Sequence, residues 1–244
     1  MPALSVVIPM KENYKILAFD TSSEKGSVAL LEGVTLRAEL RSNTPAGHSS
    51  LLLESVDFLL RRTGWNLKDL TLIASGIGPG SFTGIRIGVA TGLGLAQSLS
   101  IPFVGVSGLD VLARRAAFVN GRACVLLNAR RSQFYFAEYE SKNGKSRRLR
   151  KPALINIADS KNHLADAEWI TGDLDEEQAR AAEKHFPQRA RWIPVDLFLA
   201  EGIGRLGLER KRTWRSGNYL KAEPLYIRPP DAVKKKGCPS RDFL

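Results

Sequence analysis

Residues 76–86 constrain the fold of this chain most strongly, because a glycine corner there joins two apolar segments of different character. They read Gly-Ile-Gly-Pro-Gly-Ser-Phe-Thr-Gly-Ile-Arg, after an apolar run at 72–77 and at the head of a stretch of small residues over 81–99. A short apolar run, a tight turn and a long helical pattern are typical of a strand that passes into a helix. The segment therefore predicts an α/β fold.

The pattern around this corner predicts a repeated unit. In chain order we expect strands at 15–21, 26–31 and 35–41, a helix capped by Ser49 or Ser50 and ending before Gly64, a strand at 72–77, a helix at 81–99, a strand at 102–106 and a helix at 109–116. The pattern recurs in degraded form after residue 122, with strands at 124–127, 134–140 and 149–157, a helix over 175–185 capped by Asp173, and a last helix over 195–211.

Two such βββαβα units describe a duplicated actin-like ATPase (ribonuclease H-like) α/β fold with a reduced second domain. We expect an N-terminal extension at 1–13, a first domain at 14–108 plus about 195–212, a reduced second domain at 109–194, and a basic C-terminal tail at 213–244. In this architecture nucleotide binds between the halves, although a fold alone does not establish an activity.

Composition excludes several classes of protein. With 43% hydrophobic residues the 244-residue chain can bury a core, and two distant cysteines argue against a disulfide framework or a zinc site. The first ten residues lack the basic start of a signal peptide, and no run of about 18 apolar residues predicts a membrane span. We expect a cytoplasmic protein with no membrane association.

The net charge of +11 is concentrated in two segments. Residues 141–151 carry six basic and no acidic side chains, residues 205–244 carry eleven basic and four acidic ones, and the rest of the chain sums to −2. Each cluster is either a solvated segment or a contact with the phosphate backbone of RNA. In the tail, Lys234, Lys235 and Lys236 are the candidate RNA contacts.

The glycine corner is neither a Walker loop nor a dinucleotide-binding motif, because its residues differ from both patterns. It can still present free backbone N–H groups to an anion, or its hydroxyls can cap its own helix. Asp20 ends the first strand and either orients magnesium-bound water or binds the backbone of its own turn. The candidate nucleotide or anion contacts are Asp20, Thr21, Ser22, Gly80, Ser81 and Thr83.

Glycines at positions 84, 88 and 92 form a ridge of small residues along the predicted helix. Such a ridge allows another helix to approach closely. It serves either packing inside the chain or a partner interface.

Several motifs together resemble one bacterial family. They are Ile-Leu-Ala-Phe-Asp-Thr-Ser-Ser at 16–23, Gly-His at 47–48, the string that runs from the glycine corner to residue 97, Ile-Pro-Phe-Val-Gly-Val-Ser at 101–107, and Glu-Pro-Leu-Tyr-Ile-Arg at 223–228. This combination resembles the TsaB family of tRNA threonylcarbamoyladenosine biosynthesis proteins, over about residues 15–140 and again at the last motif.

The resemblance implies a non-catalytic partner of the threonylcarbamoyltransferase TsaD, joined by the ATPase TsaE, acting on the adenosine beside the anticodon of tRNAs that read ANN codons. It implies no intrinsic cofactor, ATP or ADP in the assembled complex, tRNA contact through that complex, and a homodimer when the chain is isolated. It places the partner interface on the first two long helices, at Ser49, Leu52, Leu53, Val56, Gly84, Arg86, Gly88, Gly92 and Leu95.

Two departures weigh against independent catalysis. The catalytic relatives hold a metal with a His-x-x-x-His pair and an Asp, but the three histidines here have no such spacing, so no metal site is expected. Asn128 stands where the family pattern is Asp-Ala-Arg, and an amide cannot serve as a base. The alternative is a stand-alone actin-like ATPase or phosphotransferase that uses Asp20.

Overall fold

The computed structural model describes residues 14–43, 48–210 and 223–228, with only the backbone of 48–50. The predicted extension at 1–13 and the candidate tRNA contacts Lys234, Lys235 and Lys236 lie outside the described residues. Within those ranges, no helix combines the length and apolar composition that crossing a bilayer requires.

The first sheet has five strands in the order β3-β2-β1-β4-β5. Its strands are β1 Lys15–Asp20, β2 Lys25–Glu32, β3 Thr35–Asn43, β4 Leu72–Gly76 and β5 Phe103–Val106. The first three form the predicted antiparallel meander, whereas β4 and β5 join β1 in parallel. The parallel pairings need helical crossovers, which are α1 His48–Thr63 and α2 Phe82–Leu99.

The second sheet has the order β11-β10-β6-β7-β8, with β9 also paired to β7. Its strands are β6 Gly121–Asn128, β7 Gln133–Lys142, β8 Lys145–Arg148, β9 Ala153–Asn156, β10 Trp169–Asp173 and β11 Arg191–Trp192. The remaining helices are α3 Gly108–Arg115, α4 Ser160–Leu164, α5 Glu176–Glu183 and α6 Ala200–Glu209. The predicted βββαβα order of the first half is confirmed, and the second half repeats it with shorter helices.

Three local expectations about the helices were wrong. Asp175, not Asp173, caps α5, because its carboxylate accepts the Gln178 N–H at 2.8 Å. The last helix begins at Ala200, five residues later than its apolar pattern suggests. Ser49 and Ser50 lie inside the first turn of α1 rather than at its N-cap.

One hydrophobic core joins the two sheets. It includes Ile16 and Leu72 of the first sheet, Val125 and Trp169 of the second, and the apolar faces of α3 and α6 between them. The core therefore crosses the boundary predicted at residue 108. Each sheet also has one smaller apolar cluster on its outer face. In the first sheet this cluster lies under α1 and α2. In the second sheet it lies under α4 and α5.

The basic run at 141–151 is not a free loop. Part of it is strand β8, and its arginines meet acidic groups on neighbouring elements: Arg147 pairs with Glu140 at 2.8 Å, Arg150 with Glu138 at 3.1 Å, and Arg148 with Asp110. Three of the six positive charges of this segment are thus used in ion pairs within the fold.

Candidate functional site

The glycine corner holds the turn after β1 against the start of α2. The Ser81 N–H donates to the Ser22 carbonyl at 2.7 Å, and the Thr21 hydroxyl donates to the Gly84 carbonyl at 2.7 Å. A Cβ at Gly80 would lie 2.1 Å from the Ser22 oxygen, and one at Gly84 would lie 2.0 Å from the Thr21 oxygen. Both positions therefore require glycine, because backbone touches backbone there.

Ser81 caps its own helix. It has an extended conformation, and its hydroxyl oxygen accepts the Gly84 N–H at 3.2 Å. Of the two roles open to these hydroxyls, self-capping is the one that the structure shows for Ser81.

Asp20 binds its own turn. Its carboxylate is buried and accepts the Ser22 N–H at 3.2 Å and the Ser22 hydroxyl at 3.1 Å. It lines a groove of about 510 Å³ between β3 and α1 rather than the cleft between the sheets. This geometry matches the turn-residue interpretation, in which the carboxylate satisfies backbone and hydroxyl donors.

A cleft of about 700 Å³ lies between the two halves. Five of the six predicted nucleotide or anion contacts line it, namely Thr21, Ser22, Gly80, Ser81 and Thr83. The opposite wall comes from the ends of β6 and β10, with Asn128, Arg130, Asp173 and Asp175, and Arg228 also reaches the cleft. The structure thus brings the glycine corner and the second sheet to one cavity.

Two ion pairs span this cleft. The Lys25 ammonium donates to both oxygens of Asp173, at 2.9 and 2.8 Å, with 29% of each side chain exposed. Arg130 and Glu24 form a looser and more exposed pair at 3.5 Å. Because Lys25 is already neutralised by Asp173, its charge is not free for a phosphate group.

Asn128 organises the second-sheet wall of the cleft. Its side-chain NH₂ donates to Asp175 at 2.9 Å, while its oxygen accepts from the Arg130 N–H at 2.7 Å and from the Gln178 amide at 2.8 Å. A carboxylate at this position would face Asp175 without a proton to donate. The departure from the family Asp therefore suits a hydrogen-bond network rather than acid–base chemistry.

The glycine ridge of α2 faces inward. A Cβ at Gly88 would lie 2.5 Å from the Thr21 hydroxyl oxygen, and one at Gly92 would lie 2.6 Å from the Phe103 ring. Gly84 packs on the turn after β1 in the same way. The prediction that Gly84, Gly88 and Gly92 meet a partner is wrong, because these glycines let α2 approach β1 and β5 of its own sheet.

Two predicted interface residues of α1 also face inward. Leu52 and Val56 are 2% and 3% exposed and belong to the core under the helix. Their assignment to a partner interface is wrong, because a buried side chain cannot contact another chain. Leu95 of α2 is half-buried against the same core.

The outer face of α1 carries exposed apolar side chains among the charged residues Glu54, Asp57, Arg61 and Arg62. Leu53 is 57% exposed, and Leu51 and Phe58, which the sequence prediction missed, are 45% and 47% exposed. The sequence contained a signal for this exposure. The apolar residues at 51–53, 56 and 58–60 occupy more of the helix circumference than one buried face requires, so some of them must be exposed.

Residues 223–228 cross the mouth of the cleft. The Leu225 N–H donates to the Ile77 carbonyl at 2.8 Å beside the glycine corner, and Arg228 donates to Gln133 of the second sheet. Between them, Tyr226 packs on Phe82 of α2 with ring centroids 5.1 Å apart. In the sequence, this motif was recognised only by its resemblance to a family. The structure shows that it packs against α2.

Among the described residues, no three His, Cys, Asp or Glu side chains lie close enough to hold a metal ion. Cys124 is buried, and burial raises the pKa of its thiol to about 12. That cysteine is therefore a core residue rather than a nucleophile at neutral pH.

The two sheets with their helical crossovers define an actin-like ATPase fold. A similar solved structure is described as an uncharacterized protein with similarity to peptidase YEAZ from Pseudomonas aeruginosa. It has a TM-score of 0.70 and 29% identity, over 88% of this chain and 100% of that one. YeaZ from Pseudomonas aeruginosa is similar with a TM-score of 0.68 and 28% identity, over 87% and 99% of the two chains.

Sequence comparison assigns the family. Residues 42–188 match the family model described as TsaD: tRNA N6-adenosine threonylcarbamoyltransferase. The tRNA threonylcarbamoyladenosine biosynthesis protein TsaB of Escherichia coli is 32% identical over 91% of this chain and 97% of its own length, and that of Haemophilus influenzae is 28% identical over 95% and 100%. The chain belongs to the TsaB family.

Proposed function

We propose that this chain acts in threonylcarbamoyladenosine formation on tRNA, as the non-catalytic partner of a TsaD-type threonylcarbamoyltransferase. The modified base would be the adenosine beside the anticodon of tRNAs that read ANN codons. The observation that carries the proposal is the exposure of three large apolar side chains of α1, Leu51, Leu53 and Phe58, in a chain that matches TsaB proteins over nearly their whole length.

The outer surface of α1 and α2 combines exposed apolar side chains with small residues. Leu51, Leu53 and Phe58 expose large apolar surface, and the exposed positions of α2 include the small residues Thr83, Ala90 and Gly94. Apolar side chains on a helix beside a face of small residues allow partner helices to pack closely. The same surface supports a homodimer when TsaD is absent.

Three features support a non-catalytic role. Asp20 is occupied by its own turn, Asn128 presents an amide to Asp175, and Lys25 is paired across the cleft. We therefore place ATP or ADP in the assembled complex of this chain with TsaD and the ATPase TsaE, and no cofactor in the isolated chain.

Co-elution with the cognate TsaD in size-exclusion chromatography tests the partnership. We expect Leu53→Glu to abolish the complex, because it puts a charge into an apolar interface, and to leave the melting temperature unchanged since Leu53 is exposed. Val34→Glu is the matched control, because Val34 is also exposed, at 50%, but lies in the turn between β2 and β3. Failure of the unmodified chain to co-elute with TsaD under any nucleotide condition would refute the proposal.

The basic tail would help the assembled complex to hold tRNA. Deleting residues 229–244, or changing Lys234, Lys235 and Lys236 together to Gln, should weaken tRNA binding and make it less dependent on salt, because fewer counterions are released. TsaD pairing should be unaffected. Unchanged tRNA affinity across a salt series would exclude this contact.

The cleft favours one alternative, a stand-alone ATPase or phosphotransferase. Its hydroxyl-bearing wall and its volume suit a nucleotide. This alternative requires the isolated chain to bind ATP and to lose turnover in Asp20→Asn. Calorimetry of ATP against the isolated chain decides between the two, and no detectable heat of binding would leave the partner role.

A further inference from the structure

Arg86 is the only charged residue in the 18-residue helix α2. It is exposed, and its helix neighbours on the outer surface are Thr83 and Ala90, whose small side chains leave its guanidinium accessible. An isolated cation on a face of small and apolar residues is unusual, because surface charge is normally interspersed with charge of the opposite sign.

The guanidinium of Arg86 is held in place from two sides. Its central carbon lies 3.7 Å from the centre of the Phe82 ring, and its Nε–H donates to the Tyr226 hydroxyl at 3.0 Å. The two rings pack on each other at 5.1 Å, so one unit fixes both the plane and the direction of the guanidinium.

The outer edge of the guanidinium has no partner among the described residues. Its two terminal nitrogens make no hydrogen bond or ion pair with any part of the chain that the structure describes. These nitrogens form a planar fork that matches a carboxylate or a phosphate in two parallel hydrogen bonds. Because stacking has already restricted the side chain, little conformational entropy remains to be lost on binding.

We propose that Arg86, positioned by Phe82 and Tyr226, is a receptor for an acidic side chain of the TsaD partner. The inference rests on the proposed function, since it places Arg86 inside the interface between the two proteins. Covering the fork with an apolar surface would leave a desolvated charge, so an interface over α2 needs a carboxylate opposite Arg86.

The surroundings of Arg86 favour a carboxylate over an RNA phosphate. Backbone phosphates are bound by several cations spread along a surface, whereas Arg86 has no other cation on its helix. The small residues on both sides of Arg86 leave room for the side chains of a partner helix to pack against α2.

The test measures the affinity of TsaD for a set of variants. We expect Arg86→Gln to raise the Kd by at least about 30-fold, as for the truncation of one member of a buried charge pair. Arg86→Lys should fall well short of full affinity, because an ammonium cannot form the fork. Tyr226→Phe removes only the hydroxyl and should raise the Kd several-fold, while Arg180→Gln, at an exposed ion pair on α5, is the control and should bind as the unmodified chain does.

A second readout needs no partner. In the isolated chain the side-chain Nε–H signal of Arg86 should be protected from solvent exchange in NMR, and Tyr226→Phe should remove that protection. In the complex, Arg86→Glu should abolish binding, and a single acid-to-Arg change in TsaD should restore it.

The outcomes separate the two proposals. If the unmodified chain does not bind TsaD, the proposed function fails. If it binds but the Arg86 and Tyr226 variants bind equally well, or if no charge reversal in TsaD rescues Arg86→Glu, the receptor alone is refuted. If the variants lose affinity for tRNA and keep their affinity for TsaD, Arg86 binds a phosphate instead, and the carboxylate assignment is wrong.

Discussion

Asp110 in the first turn of α3 connects three parts of the chain. Its carboxylate accepts from the Tyr139 hydroxyl at 2.8 Å and from Arg210 at 2.7 Å, and it pairs with Arg148 of β8. Burial raises the pKa of Asp110, but the charges and hydrogen bonds of Arg148 and Arg210 outweigh burial and hold the pKa below its ordinary value. The ion pairs therefore favour the ionised, folded form.

A pKa that is lower in the folded than in the unfolded chain stabilises the fold above the unfolded pKa, about 3.9 for Asp. That stability is lost as the pH falls through the folded pKa. We predict that Asp110→Asn lowers the free energy of unfolding by about 3 kcal/mol at pH 7, because two arginines lose their buried partner. The difference should shrink as the pH falls below about 3.9, because the carboxyl of the unfolded chain takes up a proton there and the native carboxyl does so at lower pH.

Denaturant unfolding of both proteins between pH 7 and pH 3 checks this prediction. Glu140→Gln is the control, since Glu140 pairs with Arg147 on the surface and its loss should leave unfolding nearly unchanged. A constant difference between Asp110→Asn and the unmodified chain at every pH would contradict the assignment.

At the scale of elements, the glycines of α2 have opposite roles on its two faces. Gly92 touches the Phe103 ring, and a Cβ there would lie 2.6 Å from it, whereas a Cβ at Gly94 would meet nothing within 4 Å. We predict that Gly92→Ala destabilises the chain by about 1–3 kcal/mol through overpacking. Gly94→Ala should stabilise it by up to about 1 kcal/mol, because alanine loses less backbone entropy in a helix.

Thermal unfolding of the two alanine variants tests the orientation of α2. The substitutions are chemically identical and lie two residues apart, so helix propensity alone predicts the same sign for both. Stabilisation by both would mean that the glycine ridge does not pack against β5.

At the scale of the whole molecule, the core between the two sheets determines how the chain unfolds. Leu112 of α3 is buried in this core together with residues of both sheets. We predict a single cooperative transition, with calorimetric and van't Hoff enthalpies that agree, because neither sheet keeps its inner face covered without the other. Leu112→Ala should lower the midpoint of that one transition.

Differential scanning calorimetry makes the measurement. Two resolved transitions in the unmodified chain would show that the halves fold independently. The same conclusion would follow if Leu112→Ala shifted the temperature of only half of the unfolding enthalpy.

Local patterns predicted most of the first half and less of the second. The meander, the glycine corner and α2 follow from short-range signals in the sequence. By contrast, β8 reads as a basic turn, and it forms a strand because it pairs antiparallel with β7. The strand β10 contains few apolar residues and was not predicted. It is buried because Trp169 packs into the core between the sheets and Ile170 into the cluster under α4 and α5.

The sequence by itself determined the order of the elements in the first half, the glycine corner and the family, because turn geometry, helical periodicity and a specific motif are properties of neighbouring residues. The tertiary structure decided which face of α2 is free and what Asp20 and Arg86 contact. Periodicity shows that small residues share a face, but whether that face meets β1 and β5 or solvent depends on strands far away in the chain. The exposed helix surface proposed to bind the partner is therefore the one opposite the glycine ridge.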